Sequence, residues 1–257
     1  MVVEGAGQIA GHEDADVALT LQRMLEAEGI GFRLNARIIR IEQTGDRIAV
    51  RLENDAAALQ ATHLFVATGR RPNTDDLGLE TVGIKTSQHG FIEVDERLAT
   101  NVRGVWAAGD IRGGPMFTHT AWDDFRVLQS QLVGDGSRST KRIVPYAVFT
   151  DPELGRVGMT ERAAREGGRS IKTARFEMAR NGKAVEIGET AGFIKVVVDT
   201  ETDRLLGAAV LANDGAELVH IYIDLMNAGA PSRVIRDAIY IHPTLAEAVQ
   251  SAVSAID

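Results

Sequence analysis

The first clear periodicity along the chain is helical. Val17, Leu21, Met24 and Leu25 recur at three- to four-residue spacing between Glu13 and Glu28, which lays one apolar stripe along a helix, and Gly29 ends the run. The period then changes to two. Alternating apolar positions over Ala36 to Glu42 and Arg47 to Leu52 predict two strands, and Gly45-Asp46 between them is a strong turn pair, so a hairpin is expected. Ala61 to Thr68 is mostly apolar and reads as a buried strand. It feeds Thr68-Gly69-Arg70-Arg71-Pro72-Asn73, where Gly and Pro end regular structure.

Short strands are expected next at Phe91 to Val94 and Val105 to Ala107, the second running into Gly109-Asp110 and the break Gly113-Gly114-Pro115. A helix from His119 to Leu132 would put Ala121, Phe125, Leu128 and Leu132 on one face, and Gly134-Asp135-Gly136-Ser137 reads as a linker. Beyond it the texture alters. Strands are predicted at Val144 to Phe149, Lys172 to Glu177, Gly192 to Val198 and Leu205 to Ala212, and helices at Thr160 to Glu166, Ala216 to Asn227 and Pro243 to Val253. That mixture points to a separate α+β domain.

Composition removes several classes of function. The chain of 257 residues has room for one substantial core or two modest ones, and its 44% hydrophobic and 25% charged residues are ordinary for a globular protein. A formal charge of -8 offers no basic surface against phosphate repulsion, so a nucleic-acid partner is not expected. No apolar run approaches the roughly 20 residues of a membrane helix, and Met1-Val2-Val3-Glu4 lacks the regions of a signal peptide. A soluble cytoplasmic protein without a membrane partner is the expectation. With no cysteine, disulfide scaffolds, thiolate metal sites and thiol nucleophiles are absent from these residues, so redox chemistry needs an external carrier. The six histidines are scattered without HExxH or a close pair, so no metal site is expected.

Three local motifs each admit two readings. Gly5, Gly7 and Gly11 form a GxGxxxG pattern that could cradle a dinucleotide phosphate. However, His12-Glu13-Asp14 would place two carboxylates where the pyrophosphate must sit, which favours an ordinary loop. Asp110 emerges at the C-terminal end of an apolar strand, where open α/β sheets place ligands, or it caps a turn before Gly113-Gly114. The helix starting near His119 could offer its positive end to an electron-rich ligand. In His242-Pro243-Thr244-Leu245-Ala246-Glu247, a carboxylate one turn on could orient an imidazole for proton transfer, or Thr244 and Glu247 form a capping box with His242 incidental.

The stretches Ala67-Thr68-Gly69-Arg70-Arg71-Pro72-Asn73, Ala107-Ala108-Gly109-Asp110, Gly114-Pro115-Met116, Phe149-Thr150-Asp151-Pro152-Glu153, Val157-Gly158-Met159-Thr160-Glu161, Gly215-Ala216-Glu217-Leu218 and His242-Pro243-Thr244 through Glu247 follow in order along nearly the whole chain. Together they resemble the class I pyridine nucleotide-disulfide oxidoreductases, the flavoprotein family that includes lipoamide dehydrogenase, glutathione reductase and mercuric reductase. The resemblance implies an α/β plus α+β fold: a partial nicotinamide-nucleotide-binding domain over 1–70, the C-terminal part of an FAD-binding domain over 71–140, and a dimerisation domain over 141–257. It implies FAD and NAD(P)H as cofactors and a homodimer through the last domain.

By position, the resemblance places Thr68, Gly69, Gly109 and Asp110 at the flavin, with Asp110 on the ribitol. Met116, Phe117, Thr118 and His119 would line the isoalloxazine, and Pro243 would lie beside the cofactor as well. Glu4, at the end of what resembles the second strand of the nicotinamide domain, would face the adenosine ribose and favour NADH over NADPH. His242, held by Glu247, would be the acid/base, reaching a cysteine of the other subunit. The family's FAD-binding glycine motif and cysteine pair find no counterpart here. The chain is therefore expected to be a C-terminal portion, a noncatalytic dimerisation module, or one half of a split enzyme joined by a separate N-terminal polypeptide. The tail from Ala230 to Pro243 looks closest to the mercuric-reductase-like branch, although the C-terminal cysteines of that branch are absent.

Overall fold

The computed structural model describes residues 1–53 and 55–256. Along the chain, β1 (Val2–Val3) is followed by α1 (Ala15–Ala27), β2 (Phe32–Arg33), β3 (Ile38–Thr44), β4 (Arg47–Leu52) and β5 (Leu59–Ala61). The short α2 (Leu79–Val82), a 3-10 turn at Gly109–Arg112 and the long α3 (Thr118–Val133) come next. The last part runs β6 (Tyr146–Val148), β7 (Glu153–Gly158), α4 (Glu161–Glu166), β8 (Ile171–Glu177), α5 (Gly182–Ile187), β9 (Phe193–Asp199) and β10 (Leu205–Ala212), ending with α6 (Gly215–Asn227), α7 (Arg233–Arg236) and α8 (Ala246–Ser254). The chain divides into two compact units, one made of 1–66 together with 145–257 and the other of 67–144.

In the first unit, β1 and β2 pair in parallel across α1, a strand-helix-strand crossover that leaves Glu4 at the end of β1. The predicted hairpin is present, with Thr44 opposite Arg47 and Gly45 at φ +65, the left-handed turn conformation that glycine adopts without strain. β5 adds a third strand to it. The larger sheet is antiparallel in the order β6-β7-β10-β9-β8. α6 lies so close on β7 that a Cβ at Gly155 would come within 2.2 Å of the Gly215 carbonyl oxygen, so only glycine fits there. Val17 and Leu21 of α1 are buried in one cluster with Leu154, Phe193, Ala209 and Leu211 of the sheet. Each of the Val, Leu and Phe side chains contributes about 1.5–3 kcal/mol on leaving water.

Charged groups pin the same junction. Asp14 accepts hydrogen bonds from the backbone N–H groups of Glu161 (2.9 Å) and Arg162 (3.0 Å), satisfying the first turn of α4. Lys195 lies 3.2 Å from Asp14, 3.0 Å from Asp16 and 2.9 Å from Glu161. Glu13 is buried, taking the Tyr146 hydroxyl on one oxygen and facing the Arg156 guanidinium at 3.2 Å with the other. The carboxylates beside the Gly5 to Gly11 loop thus serve the fold, and α1 begins only at Ala15, so the loop reading holds over the phosphate reading.

The second unit has little sheet. Isolated bridges join Thr86 to Ile92 and Ala99 to Trp106 where the two short strands were predicted. Three expectations need correction. The buried strand over Ala61 to Thr68 is not formed: β5 stops at Ala61, and Leu64, Phe65 and Val66 are 40%, 91% and 64% exposed, because no strand among the described residues pairs with them. α3 buries Thr120, Asp124, Val127 and Ser130 instead of the expected apolar face, leaving Phe125 and Leu132 exposed, because Asp124 is drawn inward by arginines. The last helix starts at Ala246 rather than Pro243, because the Thr244 hydroxyl bonds the Ile241 carbonyl at 2.8 Å and closes a turn there. Gly134 to Ser137 folds back on the end of α3, with the Ser137 N–H and hydroxyl both donating to Asp135. Among the described residues no helix is long and apolar enough to cross a membrane.

Candidate functional site

Two centres hold the sequence-predicted residues, one in each unit. In the second unit, Asp110 sits in the 3-10 turn that follows the apolar Ala107, and Gly109 before it adopts φ +75. The turn is closed by backbone, the Gly113 N–H donating to the Asp110 carbonyl at 3.1 Å, so the Asp110 carboxylate is not used as a cap. Its one ion-pair contact among the described residues is Arg70, 3.9 Å away, and both side chains are more than half exposed. Arg70 also donates to the Met116 carbonyl at 2.7 Å, which draws the loop of Thr68 and Gly69 to that of Asp110 and Met116. Phe117 precedes α3, Thr118 opens it, and the Phe117 and His119 rings stack 5.1 Å apart.

What fixes this loop is a residue sequence reasoning passed over. Asp124, fully buried, accepts from the Gly109 N–H (2.9 Å), from Arg112 in two-pronged fashion (2.6 and 2.9 Å) and from Arg142. Burial pushes its carboxyl up, but the bonds from Arg112, Gly109 and Arg142 outweigh that and hold it below the usual carboxylate range. The signal was present as an acid at the i+4 position from Thr120 on the face that also carries Val127. The greater number of apolar residues, Ala121, Phe125, Leu128 and Leu132, lies on the other side.

In the first unit, His242 and Glu247 meet. Nδ1 of the imidazole lies 3.1 and 3.2 Å from the two carboxylate oxygens, and the same carboxylate accepts the Thr244 N–H at 2.9 Å. Half of the expected capping box and the acid/base pair are therefore one arrangement, because Glu247 serves both. The Thr244 bond first, and then His242, hold the Glu247 carboxyl below its usual range, so it is ionised through neutral pH. With Nδ1 facing a carboxylate, the ring carries its proton there and leaves Nε2 as the accessible nitrogen of a side chain 76% exposed. Pro243 follows His242 in the turn before α8. Glu4, in the same unit, accepts the Ala6 N–H at 2.8 Å and so closes the turn after β1.

The donor chemistry fits the groups the resemblance implies. An exposed carboxylate at Asp110 can accept hydroxyl donors, and the first turn of the sixteen-residue α3 offers backbone N–H groups and a positive dipole end to an electron-rich ring. Among the described residues no three His, Asp or Glu side chains are gathered as a metal ion would require.

Residues 1–124 match the pyridine nucleotide-disulphide oxidoreductase family, and residues 144–253 match its dimerisation domain. Among curated proteins, the probable pyridine nucleotide-disulfide oxidoreductase RclA of Escherichia coli (strain K12) is 37% identical over 99% of this chain and 58% of its own length. A dihydrolipoyl dehydrogenase of Cupriavidus necator is 33% identical over 100% of this chain and 55% of its own. Among solved structures, the Cu(II) complex of the HOCl-induced flavoprotein disulfide reductase RclA from Escherichia coli superposes with a TM-score of 0.93. It is 37% identical, over 98% of this chain and 58% of that one. The chain spans little more than half the length of these relatives. Members of the family use FAD and NAD(P)H, and its dimerisation domain joins two copies. On these matches the chain belongs to the class I pyridine nucleotide-disulfide oxidoreductase family.

Proposed function

We propose that this chain carries the proton-transfer pair and part of the cofactor contacts of an FAD-dependent NAD(P)H:disulfide oxidoreductase. The observation that carries the reading is the His242–Glu247 pair, at 3.1 Å with an exposed Nε2. Residues 1–70 would serve the nicotinamide nucleotide, 71–140 the flavin, and 141–257 the homodimer.

Reducing a disulfide takes two electrons and two protons: NAD(P)H, one proton and the disulfide give NAD(P)+ and two thiols. FAD, when bound, supplies the relay of the electron pair from NAD(P)H to the disulfide. The protein's own part is acid/base and positional. His242 holds the proton taken up from solvent at Nε2 and releases it to the leaving thiolate, while Glu247 stabilises the cation formed on the way. Asp110 would accept hydroxyl donors of the ribitol, with Thr68 and Gly69 beside it. Met116, Phe117, Thr118 and His119 would line the ring at the positive end of α3. Glu4 would accept the 2'-hydroxyl of the adenosine ribose and repel a 2'-phosphate, favouring NADH. The 257 residues contain no cysteine, so the disulfide lies outside them, on a substrate, on a separate N-terminal polypeptide or on another portion of the enzyme, with a metal ion as a further class of acceptor.

The purified chain, mixed with FAD, is expected to acquire a flavin absorbance band and, completed by the cysteine-bearing portion of the enzyme, to oxidise NADH in the presence of a disulfide. His242→Gln should lower kcat about 10²- to 10⁴-fold, the usual worth of a positioned acid/base. A colourless dimer indifferent to FAD would overturn the proposal in favour of a noncatalytic dimerisation module.

A further inference from the structure

Packing does not hold His242 in place. Ile239 and Ile241 just before it are 101% and 79% exposed, and the imidazole itself is largely in solvent. The ring is fixed through the peptide of Thr244, whose N–H is bound by Glu247 and whose carbonyl is bound from elsewhere. The Asn181 Nδ2 donates to the Thr244 carbonyl at 3.1 Å. Asn181 is 4% exposed, and its Oδ1 accepts the Ala184 N–H at 2.9 Å as the N-cap of α5. The next residue, Gly182, lies beside the imidazole: a Cβ there would be 3.8 Å from Cε1 of His242.

We propose that Asn181 is a positioning residue for the His242–Glu247 pair, its amide gripping the Thr244 peptide that Glu247 grips from the other side. One side chain faces both ways. Its oxygen is committed to α5 and its nitrogen to the His242 turn, so the imidazole is registered against a buried, capped helix end instead of against neighbouring side chains. Once the grip is lost, the carboxylate no longer meets Nδ1 in a single geometry. The inference deepens the acid/base reading and rests on it.

Asn181→Ser separates the two halves of the role. A serine hydroxyl still caps Ala184 but is too short to reach the Thr244 carbonyl. In the full chain, amide hydrogen exchange at Thr244 is expected to quicken about five- to tenfold, while Ala184 changes less than roughly twofold. The imidazole nitrogen shifts of His242 should move from a Nδ1-protonated signature towards mixed tautomers, which loss of a helix cap alone would not produce. Asn181→Ala should release both amides. The proposal is overturned if Thr244 exchange and the ring shifts stay unchanged in Asn181→Ser, or if Ala184 and Thr244 respond equally. Asn181→Asp, which keeps the capping oxygen and removes the donor, reads the same difference if the serine variant does not fold. If neither variant folds, Asn181 is a structural residue and the proposal falls. None of these readouts needs turnover. The catalytic reading fails separately, if Glu247→Gln leaves kcat unchanged.

Discussion

The Asp110 loop of the second unit is anchored by a buried carboxylate shared between Arg112, Arg142 and a backbone N–H. The His242 turn of the first unit is anchored by two hydrogen bonds to one peptide, one from the Asn181 amide and one to the Glu247 carboxylate, which also meets the exposed imidazole. A buried charge network is rigid and costly to break, because removing one partner strands the others in a poor solvent. A hydrogen-bonded turn at the surface is cheaper to perturb, and water can replace what is lost. The first arrangement would suit the flavin-side role proposed for the Asp110 loop, which calls for a loop that stays still. The second would suit the acid/base role proposed for His242, in which the imidazole gains and loses charge without disturbing its support.

The largest effect should come from Asp124→Asn, which leaves the Arg112 side chain, 12% exposed, without its counterion and leaves Arg142, 15% exposed, with Asp123 alone. A loss of about 3–5 kcal/mol is expected. Trp106 and Trp122 are the chain's two tryptophans and both lie in the second unit, whereas Tyr146, Tyr222 and Tyr240 are its three tyrosines and lie in the first. Urea unfolding followed by tryptophan fluorescence therefore reads this loss in the unit where it occurs, and an unmoved midpoint would break the comparison. Lys195→Met should cost less, about 2 kcal/mol, since Asp16 beside it is 36% exposed and keeps water as an alternative partner. Hydrogen exchange along α1 and tyrosine fluorescence would record it.

Acid should act next. The Asp124 pKa is depressed on folding, so its stabilisation is fully present above the unfolded value near 3.9 and is lost as pH falls through the lower folded value. The tryptophan-reported stability should decline below about pH 4, and in Asp124→Asn that decline should flatten. A parallel decline in both would assign the acid sensitivity elsewhere. The smallest effect is expected for the Thr244 amide in Glu247→Gln, whose exchange should change only about twofold because a carboxamide oxygen still accepts the bond. A tenfold change would show that the His242 turn, too, depends on charge.

Local pattern made the α+β half of the chain legible. β10 was expected over its observed residues, and β8, β9 and α6 to within one residue at each end, because β9 and β10 are continuous apolar runs while β8 and α6 repeat buried positions at strand and helix spacing. β7 was missed: Gly155, Arg156 and Gly158 break the apolar alternation, and the reasons for them lie in other elements, in α6 above Gly155 and Glu13 beside Arg156. The same limit hid Asp124 and Asn181, whose partners are 12 to 18 and 63 residues away. His242 and Glu247 were legible because five residues separate them, although periodicity could not tell whether Glu247 served the cap or the imidazole. Geometry shows that it serves both.

The packing of α1 on the far sheet also sets an order of assembly. Val17 and Leu21 find Leu154, Phe193 and Leu211 only after some 190 further residues have been synthesised, whereas the second unit is one uninterrupted stretch of chain. Loop-closure entropy penalises such distant partners, and domains generally fold as units when they leave the ribosome. The 67–144 segment can thus fold while α1 still waits with its apolar stripe in water. During that interval Val17, Leu21 and Leu25 would leave one apolar stripe of α1 open to non-native contacts.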